Sequence, residues 1–165
     1  MQKLILAIDA GTTESGYALM SDEYELILHG KADNNFVLGV VMAGEYDEMV
    51  YEQFQSYNMP IGASTISSIE WNGRFVQAAF ALMKPYSSVY RKDEKIHFCN
   101  SVKAKDANIH RALIERFARF DFKSGKGTKK NPDFFYGVNN DAWTAIGIAV
   151  LRIDTLKGRQ NGYER

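Results

Sequence analysis

The chain has 165 residues, 45% of them hydrophobic, and its 20 basic and 20 acidic side chains leave no net charge. That is enough apolar material for one ordinary domain, residues 1–165, and no apolar stretch is long enough to span a membrane, which argues against a membrane partner. The lone cysteine, Cys99, excludes an intramolecular disulfide and points to a reducing, cytoplasmic setting, and His29, His97 and His110 do not have the spacing of a zinc site.

A strand begins almost at once, with no signal peptide ahead of it. Lys3–Asp9 is an apolar run that ends in one aspartate, the pattern of a fully buried strand. An acid at the exit of such a strand is costly unless something compensates it, and a cation is the usual answer. Gly11 and Gly16 allow a tight turn and close approach of a ligand or neighbouring strand. Gly16–Ser21 and Glu25–Gly30 read as two further strands of a meander, and residues 33–45 could hold a short helix. Asp47–Phe54 is another strand and delivers a second carboxylate, Glu52, at its end.

From Ser64 to about Met83 a helix is expected, with Ser64 or Thr65 as its cap. Ile66, Ile69, Gly73, Val76, Phe80 and Met83 form one stripe, and Trp71, Phe75, Ala78, Ala79 and Leu82 a second apolar face. Two apolar faces predict one packed on the sheet and one on a second copy of the chain, with Ile69 or Val76 on the outer stripe. Pro85 ends the helix. Lys95–Cys99 reads as a short strand and Asp106–Phe120 as a helix with Ile109, Leu113, Phe117 and Phe120 inward. The glycine-containing basic stretch Lys123–Asn131 reads as a mobile loop, either solvated or ordered by phosphate contact. A last helix opens at Asn139-Asn140-Asp141, with Asn140 able to cap it and Asp141 in its first turn, and runs to about Lys157.

Charge is unevenly spread. Residues 1–83 hold three basic side chains against eleven acids, a balance of −8, and residues 84–130 hold thirteen against five, a balance of +8. Such a division suits a metal-dependent nuclease, whose acids hold cations while its basic surface holds phosphates. The element order is that of a ribonuclease H-like α/β fold, a mixed five-stranded sheet flanked by helices. There the ends of the first and fourth strands and the terminal helix converge. Asp9, Glu52 and Asp141 would then share oxygen-loving cations such as Mg²⁺ or Mn²⁺. Two such ions about 4 Å apart can activate a water and stabilise the leaving oxygen of a phosphodiester.

These residues resemble a known family. Leu6-Ala7-Ile8-Asp9-Ala10-Gly11-Thr12 with Gly16-Tyr17-Ala18 is similar to the opening of RuvC-type Holliday-junction resolvases, and Tyr51-Glu52-Gln53-Phe54 to their second acidic motif. Val102-Lys103 and Lys105, entering a helix with Ile109 and Leu113, resemble their lysine-bearing segment, and Asp141–Ala149 their terminal acidic helix. The similarity spans nearly the whole chain and is greatest to the bacteriophage-encoded branch, so a bacterial or phage-infected host cell is implied. It implies a homodimeric, Mg²⁺-dependent endonuclease, with Mn²⁺ a possible substitute, that binds four-way DNA junctions and nicks two strands symmetrically. On that reading Asp9, Glu52 and Asp141 are catalytic and metal-ligating, and Lys103 and Lys105 contact phosphate or stabilise charge at the scissile bond. Phe54 and Tyr57 stack on an unpaired base, and Lys126, Lys129 and Lys130 bind the DNA backbone. One departure is plain: where the family usually has another aspartate, this chain has Thr144, a weak ligand. Asn139, Asn140 or Asp133 could complete that metal site.

Two rivals stand beside this reading. Loss of the fourth acid would suit a junction- or fork-binding protein with weak or relaxed nuclease activity. Asp9-Ala10-Gly11-Thr12-Thr13 also resembles the first phosphate loop of sugar kinases and actin-like ATPases, but those folds need two domains and a second glycine-rich loop.

Overall fold

In the computed structural model, which describes residues 1–160, the chain forms a mixed five-stranded sheet with helices on both faces. Strands β1 (Leu4–Asp9), β2 (Glu14–Ser21) and β3 (Leu26–Asp33) make an antiparallel meander. Helix α1 (Asn34–Ala43) leads to β4 (Glu48–Glu52), parallel to β1, and α2 (Ala63–Ala81) leads to β5 (Tyr86–Val89), parallel to β4. The strand order is β3-β2-β1-β4-β5. Helices α3 (Arg91–Cys99), α4 (Asp106–Phe117) and α5 (Trp143–Gln160) complete the fold, with a 3₁₀ turn at Asn140–Ala142 ahead of α5. No helix among the described residues is long and apolar enough to cross a membrane.

The continuous apolar run of β1 has a simple cause: both faces of the strand are covered. Ile5 and Ala7 pack in one cluster with α4 and α5, while Leu6 and Ile8 pack in another with α1 and α2. Helix α5 is buried along most of its length because it lies between the sheet and the α3–α4 pair. Ala145, Ile146, Ile148, Ala149, Val150 and Ile153 are all fully buried. Helix α1 starts where the Asp33 carboxylate accepts the Asn35 N–H, and it ends at Gly44 in the left-handed conformation.

Several expectations need correction. Residues 95–99 are the end of helix α3, not a strand; the fifth strand lies earlier, at Tyr86–Val89. Asp93 accepts the Tyr90 N–H at 3.1 Å and starts that helix. The edge strand Tyr-Ser-Ser-Val is half-exposed and so lacks the apolar signature of a central one. Helix α4 stops at Phe117, three residues early. Asn140 lies within the 3₁₀ turn, with Asn139 at the cap position making no side-chain cap bond.

The stretch 123–131 is not an unanchored loop. The Asp121 carboxylate accepts the N–H groups of Lys123, Ser124 and Gly127, and the Asp133 carboxylate accepts those of Arg119, Phe120, Asp121 and Phe134. These bonds hold both acids ionised well below the usual carboxylate range, Asp133 at about 2 despite the opposing effect of desolvation. Phe135 fills the space beside Gly125, whose left-handed backbone a Cβ could not adopt without a 2.6 Å clash. Asp133 is therefore a structural staple and does not reach toward Asp141.

Candidate active site at the end of the central strands

Asp9 ends β1, and Glu52 ends the neighbouring parallel β4. Alternation decides which way they face. Ile5 and Ala7 on β1 and Val50 on β4 all join the α5 cluster, so Asp9 and Glu52, each two residues further on, share that face. The start of α5 arrives at the same edge with Asp141 and Thr144. Carboxyl ends of strands are where open α/β sheets present ligand crevices.

Two clefts adjoin there, and Asp9 lines both. The first, about 240 Å³, is lined by Asp9, Glu52, Phe54 and the α2 groups Ser64, Ser68 and Asn72. The second, about 300 Å³, is lined by Asp9, Glu14, Gly16, Lys31, Asp141 and Thr144. The expected convergence of Asp9, Glu52 and Asp141 at one point is thus divided in two. Among the described residues no three His, Cys, Asp or Glu side chains form a group compact enough for one ion. The sheet register explains the second cleft. Asp9 pairs with Gly16, and Gly16 pairs with Lys31, so an acid and a base flank a residue with no side chain. The Asp141 carbonyl descends into that gap, where a Cβ on Gly16 would stand 2.8 Å from it. Lys31 Nζ then lies 3.4 Å from Asp141 Oδ1 and 3.9 Å from Glu14 Oε2.

Around the first cleft the charges are organised by Arg91, the first residue of α3. Its guanidinium donates to Glu94 at 2.6 Å and to Asp106 at 2.5 Å and stands 4.0 Å from Glu52. Burial raises the Asp9 carboxyl above its ordinary value; Arg91, Lys31 and the Thr144 hydroxyl pull it back, and Asp106 adds to the rise. Burial also raises Glu52, and the Asp9 charge raises it further. Glu94 is fully enclosed against α5 and is raised by the same desolvation, opposed by Arg91. Glu52 Oε2 and Glu94 Oε1 are both buried without a hydrogen-bond partner, and the Glu52 charge adds to the rise at Glu94.

Asn72 is the remaining unexpected group. Its Nδ2 donates to the Glu52 carbonyl at 2.9 Å, which fixes the amide's orientation and leaves a buried Oδ1 with no partner. The first cleft thus offers Asp9, Glu52 and a spare amide oxygen, an all-oxygen set that fits a hard divalent cation. Of the other sequence candidates, Phe54 lines this cleft, and the exposed Tyr57 lies in the loop beyond it, on a left-handed backbone. Lys103 and Lys105 are exposed at the entrance to α4 and line neither cleft; the half-buried Lys126 and the exposed Lys129 and Lys130, in the loop after α4, line neither as well.

The fold has counterparts among solved structures. Thermus thermophilus RuvC superposes with a TM-score of 0.64 over 94% of this chain and 96% of its own, at 15% identity. The chain has the fold of the RuvC resolvases. The Fowlpox virus resolvase, solved with substrate Holliday junction DNA, matches at 0.54 over 93% of this chain and 98% of its own, with 15% identity. The yeast mitochondrial Holliday junction resolvase Ydc2 matches at 0.58 over 96% and 82%, with 13% identity. No protein-family model and no curated protein matches the sequence. The likeness to these structures is one of fold, at sequence identities of 13–15%.

Proposed function

We propose that the protein is a structure-specific endonuclease that binds branched DNA, four-way junctions above all, and hydrolyses phosphodiester bonds with divalent-cation help. The observation that carries this is Asp9, shared by two polar clefts at the carboxyl edge of a RuvC-type sheet. A bound Mg²⁺ or Mn²⁺ would supply Lewis-acid activation of the attacking water and neutralise phosphate charge. Asp9, Glu52 and the Asn72 amide oxygen would hold it. Arg91, held by Glu94 and Asp106, sets its positive charge 4.0 Å from Glu52, and Asp141 borders the adjoining cleft. Phe54 presents an aromatic face at the cleft rim for an unstacked base. Lys103 and Lys105, with the stapled loop bearing Lys126, Lys129 and Lys130, form the phosphate-binding surface.

The pairing of nicks on two strands needs two such sites in fixed relation, which a symmetric dimer supplies. Helix α2 provides the surface: Ile66, Ile69 and Phe80 are exposed on its outer side, and Met83 is exposed just beyond its end. The second reading, a junction binder that cuts poorly, is favoured by the engagement of Asp141 with Lys31. One assay separates them: an end-labelled four-way junction and a linear duplex of the same sequence, each incubated in Mg²⁺ or Mn²⁺. Paired nicks in the junction alone support the resolvase reading. Binding without nicks in either metal supports the binder.

A further inference from the structure

Helix α4 has basic side chains at both ends. Lys103 and Lys105 are exposed where it begins, and Lys105 immediately precedes Asp106, whose partner Arg91 stands 4.0 Å from Glu52. Arg119, Lys123, Lys126, Lys129 and Lys130 follow its last residue, Phe117. Its 12 residues, at about 1.5 Å each, put about 18 Å between the two groups. These basic side chains make no ion pair among the described residues. The acids among them are already engaged: Asp106 by Arg91, Glu115 by Arg111, and Asp121 and Asp133 by backbone N–H groups. The far group is also held in a definite shape. Gly127 and Pro132 form an antiparallel bridge, and Thr128 and Asn131 exchange backbone hydrogen bonds of 2.9 and 3.1 Å. Residues 127–132 are therefore a short hairpin with Lys129 and Lys130 at its tip. Gly127 has a left-handed backbone, and a Cβ there would stand 2.4 Å from the Asn131 carbonyl oxygen.

We propose that this hairpin is a preformed clamp on a duplex arm of the DNA substrate, gripping its phosphates about five base pairs from the bond that is cut. This rests on the branched-DNA reading above. The spacing supports it. Duplex DNA advances about 3.4 Å per base pair, so an arm that leaves the Glu52 cleft along α4 reaches the hairpin after about five base pairs. The chemistry agrees. The tip carries two lysines and no aromatic side chain, which suits backbone phosphates and not an unstacked base. Its own hydrogen bonds, and the Asp121 and Asp133 carboxylates at its base, fix the hairpin before DNA arrives, so the contact costs little ordering entropy.

The test neutralises the DNA and the protein in turn. Four-way junctions carry uncharged methylphosphonate linkages in every arm, either next to the crossover or about four to seven base pairs from it. Their affinities for the full-length protein are measured by fluorescence anisotropy without divalent cation. On wild type the distal patch should weaken binding about 10-fold, and Lys129→Gln with Lys130→Gln should weaken binding to the unmodified junction about as much. The two losses should not combine. The double variant should bind distal-patched and unmodified junctions equally, yet still lose affinity to the proximal patch. Gly127→Ala, which keeps every charge, should lose part of the distal contact. A distal patch without effect on wild type, or two losses that multiply, would overturn the assignment, as would a Gly127→Ala protein that matches wild type on all three junctions. Failure of wild type to cut in Mg²⁺ or Mn²⁺ would instead overturn the nuclease reading, and these affinities, read without cleavage, would still decide the role of the hairpin.

Discussion

Helices α2 and α5 cover opposite faces of the same sheet and both border the clefts beside Asp9, yet they are built differently. Along α5, six residues between Ala145 and Ile153 are completely enclosed, whereas α2, one residue longer, fully buries only Phe75 and Ala79. The α5 side is roofed by α3 and α4, so that helix is a core element all round. Among the described residues the α2 side has no further layer, and its outward Ile66, Ile69 and Phe80 are exposed. The difference teaches that an apolar second face on a helix has two meanings, and that only the neighbouring layer tells a sandwiched helix from an unpartnered one.

The largest expected effects lie on the enclosed sides. Ile146→Ala on α5 and Phe75→Ala on α2 should each lose about 3 kcal/mol or more in urea unfolding, because both leave cavities in close-packed surroundings. Ile69→Ala on the open side of α2 should stay within about 0.5 kcal/mol of wild type. If Ile69→Ala costs as much as Phe75→Ala in the monomer, the two sides of α2 are not distinct. Ile69→Asp sharpens the contrast. It should keep the fold and abolish the proposed dimer in light scattering at micromolar concentration, since a charge buried there would lack a counter-ion.

Smaller effects follow from titration. The raised carboxyls of Glu52 and Glu94 contribute stability that is full below the ordinary glutamate value of 4.5 and is lost as pH climbs through their folded values. The depressed Asp121, Asp133 and Asp154 act oppositely, and their contribution is lost as pH falls below about 4. Thermal stability without metal should therefore peak on the acid side of neutrality, while Mn²⁺ affinity rises from pH 5 to 7 as Glu52 ionises. A stability maximum at pH 8 would contradict the burial of this pair. The smallest change expected is in salt dependence. Neutralising Lys126, Lys129 and Lys130 together should lower the slope of log affinity for junction DNA against log salt by about one unit for each lysine that contacts phosphate.

The sequence was most legible where one signal had one cause. Asp9 and Glu52 announce themselves as acids closing apolar runs, because the β1–β4 seam is covered on both faces. Arg91 and Glu94 were invisible for the opposite reason: they sit in Arg-Lys-Asp-Glu-Lys, a stretch with no apolar period, and become important only when α3 folds against α5. Lys31 lies just past the expected end of its strand, and its partnership with Asp141 depends on the Asp9–Gly16–Lys31 register. Asn72 looked like one more polar residue on a helix until its amide was found anchored to the Glu52 carbonyl. The spacing of Asp121 and Asp133 around a glycine-rich stretch was the available signal for a stapled loop, and composition masked it.

The central claim is that Asp9 does chemistry at the junction of two clefts and leaves DNA docking to other surfaces. Side-by-side cleavage and gel-shift measurements of wild type and Asp9→Asn on a four-way junction in Mn²⁺ test it most directly. The account predicts a loss of cleavage of about 100-fold or more with junction affinity nearly unchanged. An Asp9→Asn protein that cuts at the wild-type rate would contradict it.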